Sequence, residues 1–341
     1  MIISHTAFVS PRHPWLRLPL AFTFILFMLV LAVGGCAHLA QIDSRVKSAS
    51  YIPEGKAPDL VLRYAPIFVV YNPQQDHNRI GRPKAGLDDR GLEVIVMDTS
   101  EPAIFYQITR FKTKRASFTN LIYRVHYPAT PASLIPFFIG WGQNLGNMVV
   151  VTLNSKEQPV LVTTVGTCGC YAVSIPTTAL TADALPINWS GRPLEIYGEI
   201  LPASLDFPKE PGFRLVVEFR PGEHRVMNIS LAPQAKFAEQ RLYEVAKARL
   251  LPMKELERLP IDGGFTSLYY QDGPLYGHVK GAYKPLETLF LGLVSLDLLV
   301  GMDKAYGYKD NPFYTSIKPW ARLDSDMNDF PRFLRYWGWR L

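Results

Sequence analysis

The familiar signatures of catalysis are missing from this 341-residue chain. Without Gly-x-Ser-x-Gly there is no nucleophile elbow, and without His-Glu-x-x-His no pair of zinc-binding histidines on one helix face. No Walker loop or dinucleotide fingerprint offers backbone amides to a phosphate, and no Cys-x-x-Cys supplies a thioredoxin-like pair. Cysteine is scarce: three residues, too few for a disulfide framework. Long charged blocks are absent as well. The net charge of +6 is spread thinly, whereas a nucleic-acid footprint gathers Lys and Arg on one face, so nucleic acid is not an expected partner. The chain has no internal repeat and no low-complexity tract.

What is present begins with the first thirty-six residues. Arg12 and Arg17 precede a predominantly apolar run of about sixteen residues, Leu18 to Val33, and the segment closes on Val33-Gly34-Gly35-Cys36. A membrane span needs roughly twenty apolar residues, so the run suits a signal-peptide core. The closing tetrad resembles the bacterial lipobox, in which the cysteine is acylated and the preceding bond cut. Val33 stands where Leu is usual, and Gly34 where Ser or Ala is commoner. On that reading residues 1–35 are a lipoprotein signal peptide. Residues 36–59 are a lipidated N-terminus and tether, polar and broken by Pro53, Gly55 and Pro58. An uncleaved membrane anchor and ordinary cleavage elsewhere are the alternatives. Ala37 is not the Asp that commonly signals inner-membrane retention. The resemblance therefore implies the periplasmic face of the outer membrane, with the inner membrane as the alternative. The partner is then a lipid bilayer, entered by acyl chains worth about 0.8 kcal/mol per buried CH₂. Losing the leader removes two Arg and no acid, so the net charge falls from +6 to +4.

From residue 60 to 234 the pattern predicts a β-rich domain. Short runs rich in β-branched and aromatic residues are bounded by Pro, Gly, Asn or Asp. They are Val61–Tyr71, Leu92–Met97, Ala103–Thr109, Leu121–Tyr127, Met148–Leu153, Val160–Val165, Leu194–Ile200, Phe213–Phe219 and Arg225–Leu231. Asn154-Ser155-Lys156-Glu157 reads as a hairpin loop. So many short strands predict a mainly β fold, an antiparallel sandwich or barrel-like sheet. Residues 235–341 read as a helical and aromatic-rich part packed on that domain, α+β overall. Helical content runs from Phe237 to Leu250, then Leu251 to Leu259 between Pro252 and Pro260. The clearest helix spans Pro285 to Gly301, apolar nearly all round, which predicts burial.

Thr167-Cys168-Gly169-Cys170-Tyr171 is the sharpest local feature. In an extended strand residues i and i+2 share a face, with Cα atoms roughly 6.8 Å apart, and Gly169 lets the backbone bend to close that gap. In an oxidising periplasm two such thiols pair as a disulfide or stay as a packed thiol pair. The other readings are a Zn or Cu(I) site and a redox-active pair. A metal would need further ligands such as histidine. No cofactor is otherwise expected. Four histidines lie in the body: His77, His126, His224 and His278. His126 shares a strand face with Arg124, opposite Tyr123, Val125 and Tyr127. Asp76, His77 and Arg79 fall in a dense polar loop, Asn72 to Gly81. Turn chemistry explains much of it; the functional reading is a recognition loop in which Arg79 holds an anion and Asp76 orients His77. The ending, Phe330 to Leu341, interleaves aromatics with Arg. It suits either docking into the core or an interfacial strip on a membrane.

The lipobox, Asn78-Arg79-Ile80-Gly81, Thr167-Cys168-Gly169-Cys170-Tyr171 and the Tyr336-Trp337-Gly338-Trp339 ending together resemble a family of uncharacterised bacterial lipoproteins. The resemblance covers nearly the whole mature chain and implies a compartment and a domain, without a reaction; an envelope protein is a further candidate partner. Two function classes stay open. One is a lipid-anchored protein serving binding or envelope assembly. The other is a metal- or cysteine-dependent periplasmic enzyme centred on Cys168 and Cys170 with His77 or His126.

Overall fold

In the computed structural model, residues 47–134, 137–239 and 243–341 are described; the leader and Cys36 lie outside them. Ten strands form one curled sheet. In chain order these are β1 (Ser48–Glu54), β2 (Ile67–Tyr71), β3 (Ala103–Lys112), β4 (Ser117–Thr130) and β5 (Gly142–Leu153). They continue as β6 (Pro159–Gly166), β7 (Val173–Pro176), β8 (Phe213–Phe219), β9 (Val226–Pro233) and β10 (Tyr243–Pro252). Across the sheet the order is β7-β6-β5-β4-β3-β10-β1-β2-β8-β9. Four short helices accompany it: α1 (Asp59–Tyr64), α2 (Ala235–Glu239), α3 (Pro285–Ser295) and α4 (Phe330–Tyr336). The mainly β, α+β expectation therefore holds.

Alternation explains the layers. On β4, Leu121, Tyr123, Val125 and Tyr127 enter one core cluster while Ile122 enters the other, and all five are fully buried. The first cluster closes inside the curl: the Tyr127 ring meets Phe219 of β8 edge-on, 5.7 Å between centroids. The second is roofed by residues after 250, among them Leu268, Tyr269, Phe313, Phe330, Phe333 and Trp339. The Phe330–Leu341 ending is thus docked. Asp329 caps α4 by accepting from the Arg332 amide, and Phe333, Leu334 and Trp339 are buried.

Several sequence expectations need correction. The sheet is mixed: β1 with β10, β10 with β3, and β2 with β8 run parallel. Residues 48–54 of the expected tether form β1, which lies between β10 and β2. The expected helix at Phe237–Leu250 is largely β10, hydrogen-bonded on both sides; its Ala, Glu, Lys and Arg favour a helix in isolation, and burial of Ala248 and Leu250 overrides that preference. Val61–Tyr64, expected as strand, belongs to α1. The Pro252-framed turn is present as a 3₁₀ helix, Met253–Glu257. Asn154–Glu157 is the β5–β6 hairpin loop.

Candidate functional site

The Cys168-Gly169-Cys170 turn leaves the end of β6 and is held from both sides. The Gly166 amide donates to the Cys170 carbonyl at 2.8 Å, and the Gly169 amide to the Gly166 carbonyl at 2.8 Å. The two sulfurs are bonded, and the bend brings the Cα atoms to 5.5 Å. Gly169 has φ +90°, and a Cβ there would sit 2.0 Å from the Tyr314 carbonyl oxygen. Only glycine meets both demands. Cys168 is buried and Cys170 half-buried, so Cys170 is the more accessible sulfur.

Charged side chains from the C-terminal part surround this turn. The Lys304 amide donates to the Thr167 carbonyl at 2.8 Å, and its Nζ to the Cys168 carbonyl at 3.2 Å. The same ammonium lies 4.2 Å from the Tyr314 ring centroid. Asp303 Oδ1 accepts from the Gly146 amide at 3.0 Å and from the Thr167 hydroxyl. Lys284 Nζ stands 3.6 Å from Asp303 and 3.7 Å from Glu287. Burial pushes the Lys304 ammonium down to about 8, against the opposing pull of Asp297 and Asp303.

His224 is the histidine that adjoins the cysteines, lining the same small cleft. It stacks on Tyr127 with 4.1 Å between centroids, and its Nδ1 lies 3.1 Å from the Thr130 hydroxyl. Burial first, then nearby His77, pushes it down to about 3, so it is neutral at neutral pH. His126 is fully buried, as its strand register predicts, and faces Arg124, whose Nε donates to His126 Nε2 at 3.1 Å. Burial and then the Arg124 charge hold it well below the usual histidine range.

Neither His77 nor His126 lines the cleft at the sulfurs. Among the described residues the group able to hold a metal there is Cys168, Cys170 and Glu287, with ligand atoms within 4.8 Å of one another. The Asp76–Arg79 loop is occupied with its own chain. Arg79 makes a two-pronged pair with Glu244 at 3.0 and 2.9 Å and donates from Nε to the Pro73 carbonyl at 2.6 Å. Asp76 accepts the Arg79 amide through its backbone carbonyl. The loop touches the site region indirectly, since Asn78 Oδ1 accepts the Gly222 amide two residues before His224.

The sequence reading missed Lys284, Glu287, Asp303 and Lys304. They sit 116 to 137 positions from Cys168 or Thr167 along the chain, and no local pattern links them. One signal was available: Glu287 is an acid inside an otherwise apolar helical run.

Space lies elsewhere. The cleft at the disulfide holds about 30 Å³, room for a single water. A cleft of about 410 Å³ lies over β3, lined by Tyr106, Gln107, Tyr269, Tyr306, Tyr308 and the Lys254–Glu257 edge. Its size is that of a small-ligand site. Tyr269 is 2% exposed, and its hydroxyl has no hydrogen-bond partner. Comparison of the chain with protein-family models, with curated proteins and with solved structures returned no match.

Proposed function

We propose that this chain is an exported bacterial lipoprotein, acylated on Cys36, held at the periplasmic face of the outer membrane, and acting by binding. The observation that carries the choice of binding over catalysis is the separation of space from reactive groups. The cysteines, Lys284, Glu223 and Glu287 line a cleft with room for one water, while the cleft of about 410 Å³ over β3 offers tyrosine rings, hydroxyls and one balanced Lys–Glu edge. That lining suits a neutral, hydroxyl-bearing ligand that stacks on rings. The bonded Cys168–Cys170 pair supports an oxidising compartment, where such bonds persist. Palmitate labelling of the full chain tests the anchor: incorporation is expected, and its survival in Cys36→Ala overturns the assignment. Thermal-shift titration with neutral saccharides tests the cleft. Stabilisation lost in Tyr308→Ala supports binding there, and no response to any sugar removes that ligand class.

One observation favours a second reading. Reduction of the pair would leave two thiolates beside Glu287, a donor set for Zn or Cu(I). Metal content of the reduced protein, against Cys168→Ser and Cys170→Ser, decides it: binding of one equivalent that both substitutions abolish would favour the metal-dependent enzyme.

A further inference from the structure

Helix α3 is built inside out. Its polar and small residues Glu287, Gly292 and Ser295 are buried against the protein, while Leu289 and Leu293 are 65% and 81% exposed. The chain continues with Leu296 and Leu298 exposed too. Sequence periodicity alone predicts a buried helix here, and the structure overturns that. Glu287 is held by Lys284 at 3.7 Å, and the Ser295 hydroxyl donates back to the Leu291 carbonyl at 2.8 Å. The polar groups are therefore satisfied inside, and the outward face is left wholly apolar.

A second segment extends this face. Arg322 reaches the helix end, donating to the Ser295 carbonyl and standing 3.7 Å from Asp297. That contact sets the 317–323 segment beside α3, with Ile317, Trp320 and Leu323 exposed, Trp320 at 79%. Lys318 is exposed among them. With Arg322 engaged by Asp297 and Ser295, the exposed cation of the segment is Lys318. A leucine face edged by Trp and Lys is the composition of a surface that sits in the headgroup layer of an anionic bilayer, with the ring at the interface and the cation toward phosphate. An apolar face of this kind standing free in water invites association.

We infer that α3 and the 317–323 segment seat the body on an anionic phospholipid surface, with α3 lying in the membrane plane. This rests on the reading of Cys36 as the anchor. Cys36 precedes Ser48 by twelve residues, so an anchored Ser48 is held within at most about 40 Å of the bilayer. At eleven residues α3 is far too short to cross it. Among the described residues no helix is long and apolar enough to do so.

The test uses the full chain in vesicles of phosphatidylethanolamine and phosphatidylglycerol carrying brominated acyl chains, which quench tryptophan only at the hydrocarbon boundary. The Trp320 signal is the difference between the chain and Trp320→Phe. Quenching of that signal by about twofold is expected, and its loss in Leu289→Asp/Leu293→Asp. Palmitate labelling on the same sample separates the two readings. Labelling without Trp320 quenching overturns membrane seating alone, and quenching without labelling keeps seating while the anchor fails. A Trp320 shielded from bromine and from soluble acrylamide, in a particle of doubled mass that Leu289→Asp/Leu293→Asp halves, assigns the face to a second copy and overturns the proposal.

Discussion

At the scale of single residues, Gly169 matters more than the bond it lies between. The cysteines close a loop so short that the chain-entropy contribution is about 1.5 kcal/mol. A side chain at Gly169 meets both a left-handed backbone and the Tyr314 carbonyl, a combination that costs at least about 3 kcal/mol. Urea unfolding should therefore rank Gly169→Ala as more damaging than Cys168→Ser/Cys170→Ser; the reverse order would show that the bond, not the close approach, secures the turn. The need for glycine to bend Cys168 toward Cys170 is legible in the sequence. That the bend also admits Tyr314 is not, because the two are 145 positions apart. His224 sets an acid limit. Its folded-state value near 3 lies below the unfolded value of 6.5, so the unfolded chain binds more protons between those limits. Stability is lost as pH falls from about 6.5 toward 3, by at most about 5 kcal/mol from this group. His77, His126 and His278 are also held low and act in the same direction. His224→Asn, which tolerates the positive φ of 56°, should flatten the stability-versus-pH slope in that window; an unchanged slope would assign the acid lability to the other three.

At the scale of elements, β10 and β1 are where local preference and final structure part. Composition gives residues 237–250 a helical look and residues 48–54 a tether look, yet residues 243–250 and 48–54 lie mid-sheet. Parallel partners far apart in sequence satisfy their backbone groups, and no short window contains that information. Leu250, 2% exposed, is expected to cost about 2–5 kcal/mol when cut to Ala. A loss under about 0.5 kcal/mol in chemical unfolding would mark β10 as peripheral. The antiparallel runs β3 to β6 were legible because hairpin pairing is local and each run is rich in β-branched or aromatic residues.

At the scale of the whole molecule, a division at residues 234 and 235 does not give a self-sufficient β domain. Residues 60–234 lack β1 and β10, which separate β3 from β2 in the sheet order. Expressed alone, that fragment should show no cooperative thermal transition, while the chain from residue 36 onward shows one. A sharp transition in the fragment would mean that the two half-sheets close without their centre. The buried charges point the same way. Asp303 joins the Gly146 amide and Thr167 of the sheet region to Lys284 of the C-terminal part. Asp303→Ala removes one of the two carboxylates facing buried Lys284, together with the acceptor of the Gly146 amide and the Thr167 hydroxyl, and should lower stability by about 3 kcal/mol, without splitting the transition.

The sequence by itself determined the β-rich class, the pairing-competent cysteines and the shared face of Arg124 and His126. Each follows from a period of two or a spacing of two, which are properties of the local chain. The tertiary structure decided which strands stand at the centre and which charges surround the disulfide. It also decided that α3 turns its leucines outward. The first two depend on contacts between residues more than a hundred positions apart, and all three on burial and satisfied polar groups that outweigh local preference.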